Sequence, residues 1–549
     1  MIHKILNTQT KSITFASIIL GFFYLCSASL GLVRDRLLAG TFGAQNELDV
    51  YYAAFTIPDF VALILVFGAI SAAIIPIFSQ YLVVSKEEAW RYTNALLNTF
   101  LLCLIIVCLF FIIFAPFFVK LIAPGFTPEK QAMTASLMRI MFLSPILLGV
   151  SNIVSGILQV FHRFLVTALA PLMYNLGIII GILVLVPRFG FVGLAWGVVL
   201  GGVLHLFIQL PAFFHSGFRV QGLGSSIASL KHPGVLKTLK LMIPRSLGLG
   251  AGQLNTMVTT SIASTLAVGS VAVFNLAGNL ASLCVNAIAI SLSTAIFPSM
   301  SLAHLTEDRH GFECKFSRAL RHILFFLVPA SFLIFILRAQ IVRVILGTGR
   351  FGWIDTRLTA ACLGIFAIGL CGQGLVFLLS KTFYALHNTK IPAIISALTV
   401  VCNIALSLLL VWLFNAQGAF SQALAMALRL EDIGNITVVA LPMAFAATML
   451  LEAVVLLAFL YNQYRTFSIK QEVKSFSKMM VAGALMAVAA FTVRNSLVQY
   501  EFIHLETFLE VFTQLVVSTV AGIVIYLLAS LFLKLPEFAA IKALFGKRG

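Results

Sequence analysis

Charge is what this chain has least of. Asp, Glu, Lys and Arg make up only 10% of its 549 residues, where a soluble domain carries about a quarter. Acid is scarcer than base, with 19 carboxylates against 36 Lys and Arg. No polar stretch is long enough to fold as a soluble domain, and this excludes an appended water-soluble enzyme. Catalytic signatures are missing too. There is no HExxH, no P-loop and no GxSxG with a complete partner set, so neither zinc, nucleotide-hydrolysing nor serine-hydrolase chemistry is indicated. The eight cysteines lie mostly inside apolar runs with no CxxC pair, and read as small core residues rather than metal ligands or disulfides. No metal or bound cofactor is expected, and without an ATP-binding motif any transport must draw on a monovalent cation gradient, the membrane potential or the substrate's own gradient.

What remains is apolar. Hydrophobic residues are 60% of the chain, in runs of about 18–25 that each suffice to cross roughly 30 Å of hydrocarbon. The fold class is therefore all-α and polytopic. Fourteen spans are predicted, near 13–37, 49–81, 94–122, 132–160, 165–187, 190–214, 242–265, 270–303, 320–346, 358–383, 391–414, 437–461, 478–493 and 511–533. The first is read as a retained helix rather than a cleaved signal, because it is long enough to span and many spans follow.

The net charge of +17 does not indicate nucleic acid, because the basic residues are scattered among short loops beside apolar runs. That pattern is a topology signal and favours anionic lipid headgroups. One set of loops, including both termini, holds 24 basic residues and the opposite set 11. The richer set is expected in the cytoplasm, which puts both termini there and the Arg34-Asp35-Arg36 triplet near the outer face of the cytoplasmic membrane.

The chain is also duplicated at an offset near 220 residues. AAIIPIFSQYL (72–82) matches STAIFPSMSLA (293–303), aligning Pro76 with Pro298, and the stretch around Pro171 matches that around Pro392. LIAPGF (121–126) has a counterpart in ILGTGRF (345–351). Two six-helix lobes follow: 1–220 and 242–465, joined by a cytoplasmic linker 221–241, with two additional helices and a tail in 466–549. Paired lobes of this kind suit a transporter whose cavity opens to either side in turn. A non-transporting scaffold on the same fold is the alternative.

Few residues in the spans could carry chemistry. An ionisable group there costs at least about 2.5–3.5 kcal/mol on insertion scales, so it faces protein or water. Arg34 and Asp35 project about 100° apart on a helix, so one could face a cavity while the other pairs sideways. Arg34 with Arg36 suits a phosphate, since a guanidinium fork binds two oxygens and keeps its proton; a snorkelling interfacial anchor is the equal alternative. Glu47 and Asp49 open the second span and read first as capping groups. Asp59, after Pro58, could be a proton or cation site or the partner of Arg34. Arg139 falls inside the fourth span. The intramembrane amides, among them Asn175, Asn255, Asn279 and Asn403, read as interhelical hydrogen-bonders, with an ion site at Asn255 and Asn403 as the minority reading.

Taken in order, SLGLVRDRLLAGTFGA, IAPGFTPEK (122–130), FHRF…APLMYNLG (161–177) and ASTLAVGSVAVFNLAGNL…FPS (263–299) resemble the MurJ/MviN family of bacterial lipid II flippases, in the multidrug/oligosaccharidyl-lipid/polysaccharide exporter superfamily. The likeness runs from about residue 13 to 465. It implies a flippase that moves lipid-linked peptidoglycan precursor outward by alternating access. The partner would be an anionic undecaprenyl pyrophosphate glycopeptide, with membrane lipids around it and a single copy functioning alone. Arg34, Asp35 and Asp49 match family positions, and Asn279 stands where the family has an arginine, as do Ala62 and Ala28. Arg36 or Arg139 would then compensate, Asn279 would supply neutral donors, or the cargo would be another polyprenyl-linked glycan or a cationic amphiphile.

Overall fold

The structure, a computed structural model, describes residues 13–67, 73–219, 232–416, 418–463, 469–499 and 507–538. The N-terminal residues, the 221–231 part of the linker and the C-terminal tail, whose basic residues entered the topology reading, lie outside the described residues. So do the side chains of residues 243–249. Every regular element among the described residues is helical, and twelve helices among them are long and apolar enough to cross a membrane. The protein is an all-α polytopic membrane protein.

Contacts divide the chain into two compact units, Met1–Val271 and Ala272–Gly549. The first contains α1 (Ile13–Phe42), α2 (Asn46–Val61), α3 (Ile75–Val84), α4 (Lys86–Ile113), α5 (Ala115–Ile122), α6 (Pro128–Met141), α7 (Leu143–Val160), α8 (Phe164–Ile180), α9 (Val186–Phe189), α10 (Val192–Phe207), α11 (Leu210–His215) and α12 (Pro233–Ser264). Helix α1 packs on α8, α8 on α10, and α2 on α6. One end is filled by an aromatic core of Phe78, Trp90, Tyr92, Phe100, Phe213 and Phe218. Helix α12 packs on α2, α4 and α5, so its contacts lie in this unit, whereas the repeat begins the second lobe at 242.

The second unit opens with α13 (Ser270–Val285), whose first two residues precede the boundary. It holds α14 (Ser291–Leu305), α15 (Arg309–Leu346), α16 (Trp353–Ala385), α17 (Lys390–Asn415), α18 (Ala419–Leu428), α19 (Ala440–Gln463), α20 (Ile469–Gln499) and α21 (Phe508–Phe532). Its densest packing joins α15 to α16, α16 to α19, and α20 to α21. Helix starts carry the expected acceptors: Ser85 Oγ takes the Glu88 N–H at 3.0 Å and Asp308 Oδ1 the Gly311 N–H at 2.8 Å, each filling a donor the first turn leaves open.

The helices depart from the apolar runs in two ways. The thirteenth expected span, 478–493, lies within the longer Ile469–Gln499, because its polar first turn is held by packing: Glu472 accepts two bonds from Arg321 at 2.8 and 2.7 Å. The expected 94–122 span is two helices, meeting near Phe114. On α4 the apolar stripe Ile106, Leu109, Phe110 and Ile113 is exposed. An i, i+3, i+4, i+7 apolar face turned outward is the inverse of a soluble helix and suits a surface that meets lipid.

The duplication is visible in local geometry inside each unit. A π-helical turn interrupts the helix at Ala62–Phe67 in the first half and at Asn286–Ile290 in the second, each shortly before the aligned prolines. His162 and His387 both adopt a left-handed backbone, φ 57° in each. Each closes its helix the same way: His162 N–H to the Gln159 carbonyl and Arg163 N–H to that of Leu158, then His387 N–H to Tyr384 and Asn388 N–H to Phe383. This is the Schellman pairing.

Glycine sets the closest approach in the first unit. A Cβ at Gly177 would stand 2.3 Å from Gly201 Cα, and one at Gly181 2.4 Å from Gly197 Cα. Gly177 and Gly181 are four apart, as are Gly193, Gly197 and Gly201, so two small-residue stripes bring backbones together. We predict that Gly181→Ala destabilises the protein by about 1–3 kcal/mol through overpacking, despite alanine's better helix propensity. Gly31→Ala, where nothing lies within 4 Å, should be neutral or stabilising. Thermal unfolding of the purified protein checks the contrast; equal shifts for both variants would sink it.

Candidate functional site

A guanidinium in an apolar helix must find acceptors, and Arg34 finds them on both sides. Its Nε and Nη2 donate to Asp35 Oδ1 at 3.0 and 2.8 Å, and its Nη1 donates to Asn175 Oδ1 at 3.1 Å. Asn175, on α8, is itself oriented: its Nδ2 donates to the Ser27 carbonyl and Oγ, both at 3.3 Å, and to the Pro171 carbonyl at 3.4 Å. The amide oxygen is thereby turned to the arginine. The expectation that Arg34 and Asp35 would point apart is corrected, because the long arginine stem bends back across the 100° between them. Asp35 is 5% exposed and Arg34 24%, so the carboxylate is sealed while the guanidinium keeps an open edge.

The charge of Arg34 also reaches Tyr51, Tyr52, Tyr174 and Asp59. The arginine bonds go to Asp35 and Asn175 and not to Asp59, whose carboxylate is exposed in a narrow cleft with Pro58, Ala62, Ser144 and Tyr174. Ala62, the position where the resemblance places an arginine, thus stands beside an acid. Arg36, two residues on from Arg34, is half-buried and has contacts of its own.

Asp49 belongs to a different arrangement. With Glu47 it stands in the acidic first turn of α2, as expected of a capping group, but its carboxylate does not face solvent. Instead its Oδ2 accepts from Lys130 Nζ at 2.9 Å and from the Gly269 N–H at 2.8 Å. Asp49 is 2% and Lys130 12% exposed, and the ammonium also sits 4.0 Å over the Phe126 ring. Gly269 has φ +87°, and a Cβ there would fall 2.0 Å from the Ala44 carbonyl, so only glycine brings this N–H to the carboxylate. The stretch 122–130 therefore forms a latch that joins the start of α2 to the turn after α12. A cavity of about 430 Å³ lies beside it, with Glu47, Phe126, Glu129 and Val268 on its wall.

The other candidates are dispersed. Arg139 is exposed and donates to the Ile112 carbonyl at 3.2 Å, so it ties α6 to the end of α4 instead of joining Arg34. Asn255, on α12, buries an amide oxygen without a protein donor. In the second unit Asn279 is half-buried and its carbonyl accepts from Ser282 Oγ at 2.9 Å. Asn403 is buried and donates to Thr448 Oγ1 at 3.0 Å across α17 and α19. One turn beyond, Glu452 is 3% exposed and accepts from Ser396 Oγ at 2.6 Å. Sequence reading overlooked Glu452, although a lone carboxylate within ALPMAFAATMLLEAVVLLAFL was signal enough. All eight cysteines are free.

The family profile described as "Lipid II flippase MurJ" matches residues 38–513. A Burkholderia cenocepacia protein named "Lipid II flippase MurJ" is 29% identical over 376 residues, covering 67% of this chain and 73% of that protein. A Thermotoga maritima protein named "Probable lipid II flippase MurJ" is 28% identical, covering 75% and 82%. Among solved structures, lipid II flippase MurJ in an inward closed conformation superposes with a TM-score of 0.73 at 24% identity, over 94% of this chain and 99% of that one. An inward-facing MATE multidrug transporter of the MOP superfamily gives 0.63 at 15%, over 80% and 94%; both likenesses are of fold. Helical spans, a partly open arginine in their midst and this fold define a membrane transporter, not an enzyme. The chain belongs to the lipid II flippase MurJ family.

The latch gives a direct expectation. Lys130→Ala takes the paired cation from a buried carboxylate, and losing one partner of a buried pair costs about 3–5 kcal/mol. Asp49→Asn combined with Lys130→Met removes both charges and should recover more than half of that loss. Unfolding midpoints of the two variants decide it; an equal or larger loss in the double variant contradicts the charge account.

Proposed function

We propose that the protein is an alternating-access flippase that carries lipid II, an undecaprenyl pyrophosphate glycopeptide, from the cytoplasmic to the outer leaflet. Family membership supports transport of a lipid-linked cargo. The observation that carries the substrate reading is Arg34. Its guanidinium is permanently charged, fixed by Asp35 and Asn175, and open along one edge, where it can trade water for phosphate oxygens. Asp35 holds the fork in place, and the Asp49–Lys130 latch steadies the outer end of α2. In this reading fourteen helices span the membrane, the twelve already counted together with α1 and α12, and both termini face the cytoplasm. The lobes follow the repeat, with the two additional helices, α20 and α21, beside the lipid tail. Asn255 and Asn403 are proposed as donors to a coupling cation, and Asn279 as a neutral donor to the headgroup.

Asp59 favours a second reading. An exposed acid beside Ala62 lowers the positive potential that a pyrophosphate meets, and suits a cationic amphiphile moved on the same fold.

The two part at one residue. Arg34→Ala should abolish support of wall synthesis in a strain depleted of its own flippase, while the variant still inserts and accumulates; Arg34→Lys should fall about tenfold, since it keeps charge but loses the fork. Full growth on Arg34→Ala would remove the arginine from the mechanism. Growth restored by Asp59→Asn in that background would favour the anionic cargo, and growth lost by Asp59→Asn alone the cationic one.

A further inference from the structure

The second unit contains an unbalanced group of cations that the Arg34 site does not use. Arg338 lies on α15, Arg494 on α20 and Arg429 at the left-handed turn that ends α18; the charges of Arg429 and Arg494 both reach Arg338, and that of Arg429 also reaches Arg494. Arg338 Nη1 donates to the Phe335 carbonyl and Arg494 Nη1 to the Ile336 carbonyl, both at 2.9 Å, so two guanidiniums hang on one turn of α15. Arg494 also donates to Asn495 Oδ1 from Nε and Nη2 at 3.2 and 3.1 Å. A Cβ at Gly364 on α16 would stand 2.6 Å from Arg338 Cδ, so that glycine makes the space for the arginine stem. The acids of the neighbouring turn are committed elsewhere: Arg357 holds both oxygens of Asp432 at 2.6 Å, and Glu431 acts on Arg357 as well. Among the described residues no carboxylate pairs with Arg338, Arg429 or Arg494; Glu501 and Glu506 lie outside them.

Three like charges at the end of an apolar bundle repel one another, and no carboxylate among the described residues pairs with them. Arg338 lies eight residues before the end of α15, about 12 Å along the axis, at a depth where a cation needs an anion or water. Arginine forks match phosphate oxygens bidentately. Beside Arg494 the surface of α20 exposes Val488, Phe491 and Val498, an apolar flank against which acyl chains can lie. We propose that Arg338, Arg429 and Arg494 bind the phosphate of an anionic membrane lipid headgroup where α15 and α20 end. The site is independent of the transported cargo, since none of the three lies in the Arg34 constellation.

The test is native mass spectrometry of the full-length protein released from micelles containing phosphatidylglycerol, with phosphatidylethanolamine and inorganic phosphate as parallel probes. Wild type should retain phosphatidylglycerol. Arg338→Gln combined with Arg494→Gln should retain about tenfold less, since each arginine near an anionic lipid contributes several-fold. The paired Lys variants keep the charges and should stay within about threefold of wild type. If the Gln pair does not fold, Arg429→Gln, in an exposed turn, should alone weaken retention about threefold or more. Equal retention of phosphatidylglycerol by wild type and the Gln variants overturns the site. So does equal retention of phosphatidylethanolamine, or displacement by equimolar inorganic phosphate, which would mean a free anion is the ligand.

Discussion

A guanidinium in a membrane helix can neither give up its proton nor be left without acceptors. The first unit is arranged around that constraint. Arg34 draws one acceptor from its own helix and one from α8, and the second is oriented by Ser27 and the Pro171 carbonyl. The pairing stitches α1 to α8, which then closes on α10 through glycines that leave no room for a side chain. Position and charge are fixed together, and one edge of the fork stays open. A charge held this way costs little rearrangement when an anion arrives, which is the ground for the binding role proposed for it.

The second constraint is the duplication. Each half breaks its helix with a π turn at the same place, and each ends a helix on a left-handed histidine. Extra residues in a helix redirect the side chains beyond them, and such insertions recur at functional sites. In the first half the π turn begins at Ala62, beside the Asp59 cleft. The polar content of the halves has diverged. Charge is concentrated around Arg34 and Asp49 in one, while the other carries hydroxyls and amides around Glu452 and an arginine group near the end of α15.

Much of this was legible in the sequence because the bilayer permits so few solutions. Apolar runs gave the spans, prolines at a near-constant offset gave the repeat, and three charges after an uncharged run marked Arg34. Partnership was not legible. Asn175 lies 141 residues from Arg34 and Lys130 lies 81 from Asp49, and nothing local marks either as a mate. Arg139 was placed in the interior by hydropathy, but which side of a helix a residue takes depends on neighbours that hydropathy ignores. The amphipathic beginning of α20 looked like a loop, since Glu472 is stabilised by Ser317 and Arg321 on another helix. The π turns have no compositional signature. The glycine stripes and Glu452, by contrast, were there to be read.

The central claim is that Arg34 holds the pyrophosphate headgroup of the cargo as it is carried across the membrane. Its most direct test is a reconstituted one, with this protein as the sole protein in liposomes, labelled lipid II in one leaflet, and headgroup exposure on the far side followed over time. The account predicts headgroups appearing there faster than in protein-free vesicles, with inorganic pyrophosphate slowing the exchange. Headgroups that stay where they were placed, while a cationic amphiphile crosses the same vesicles, would contradict it.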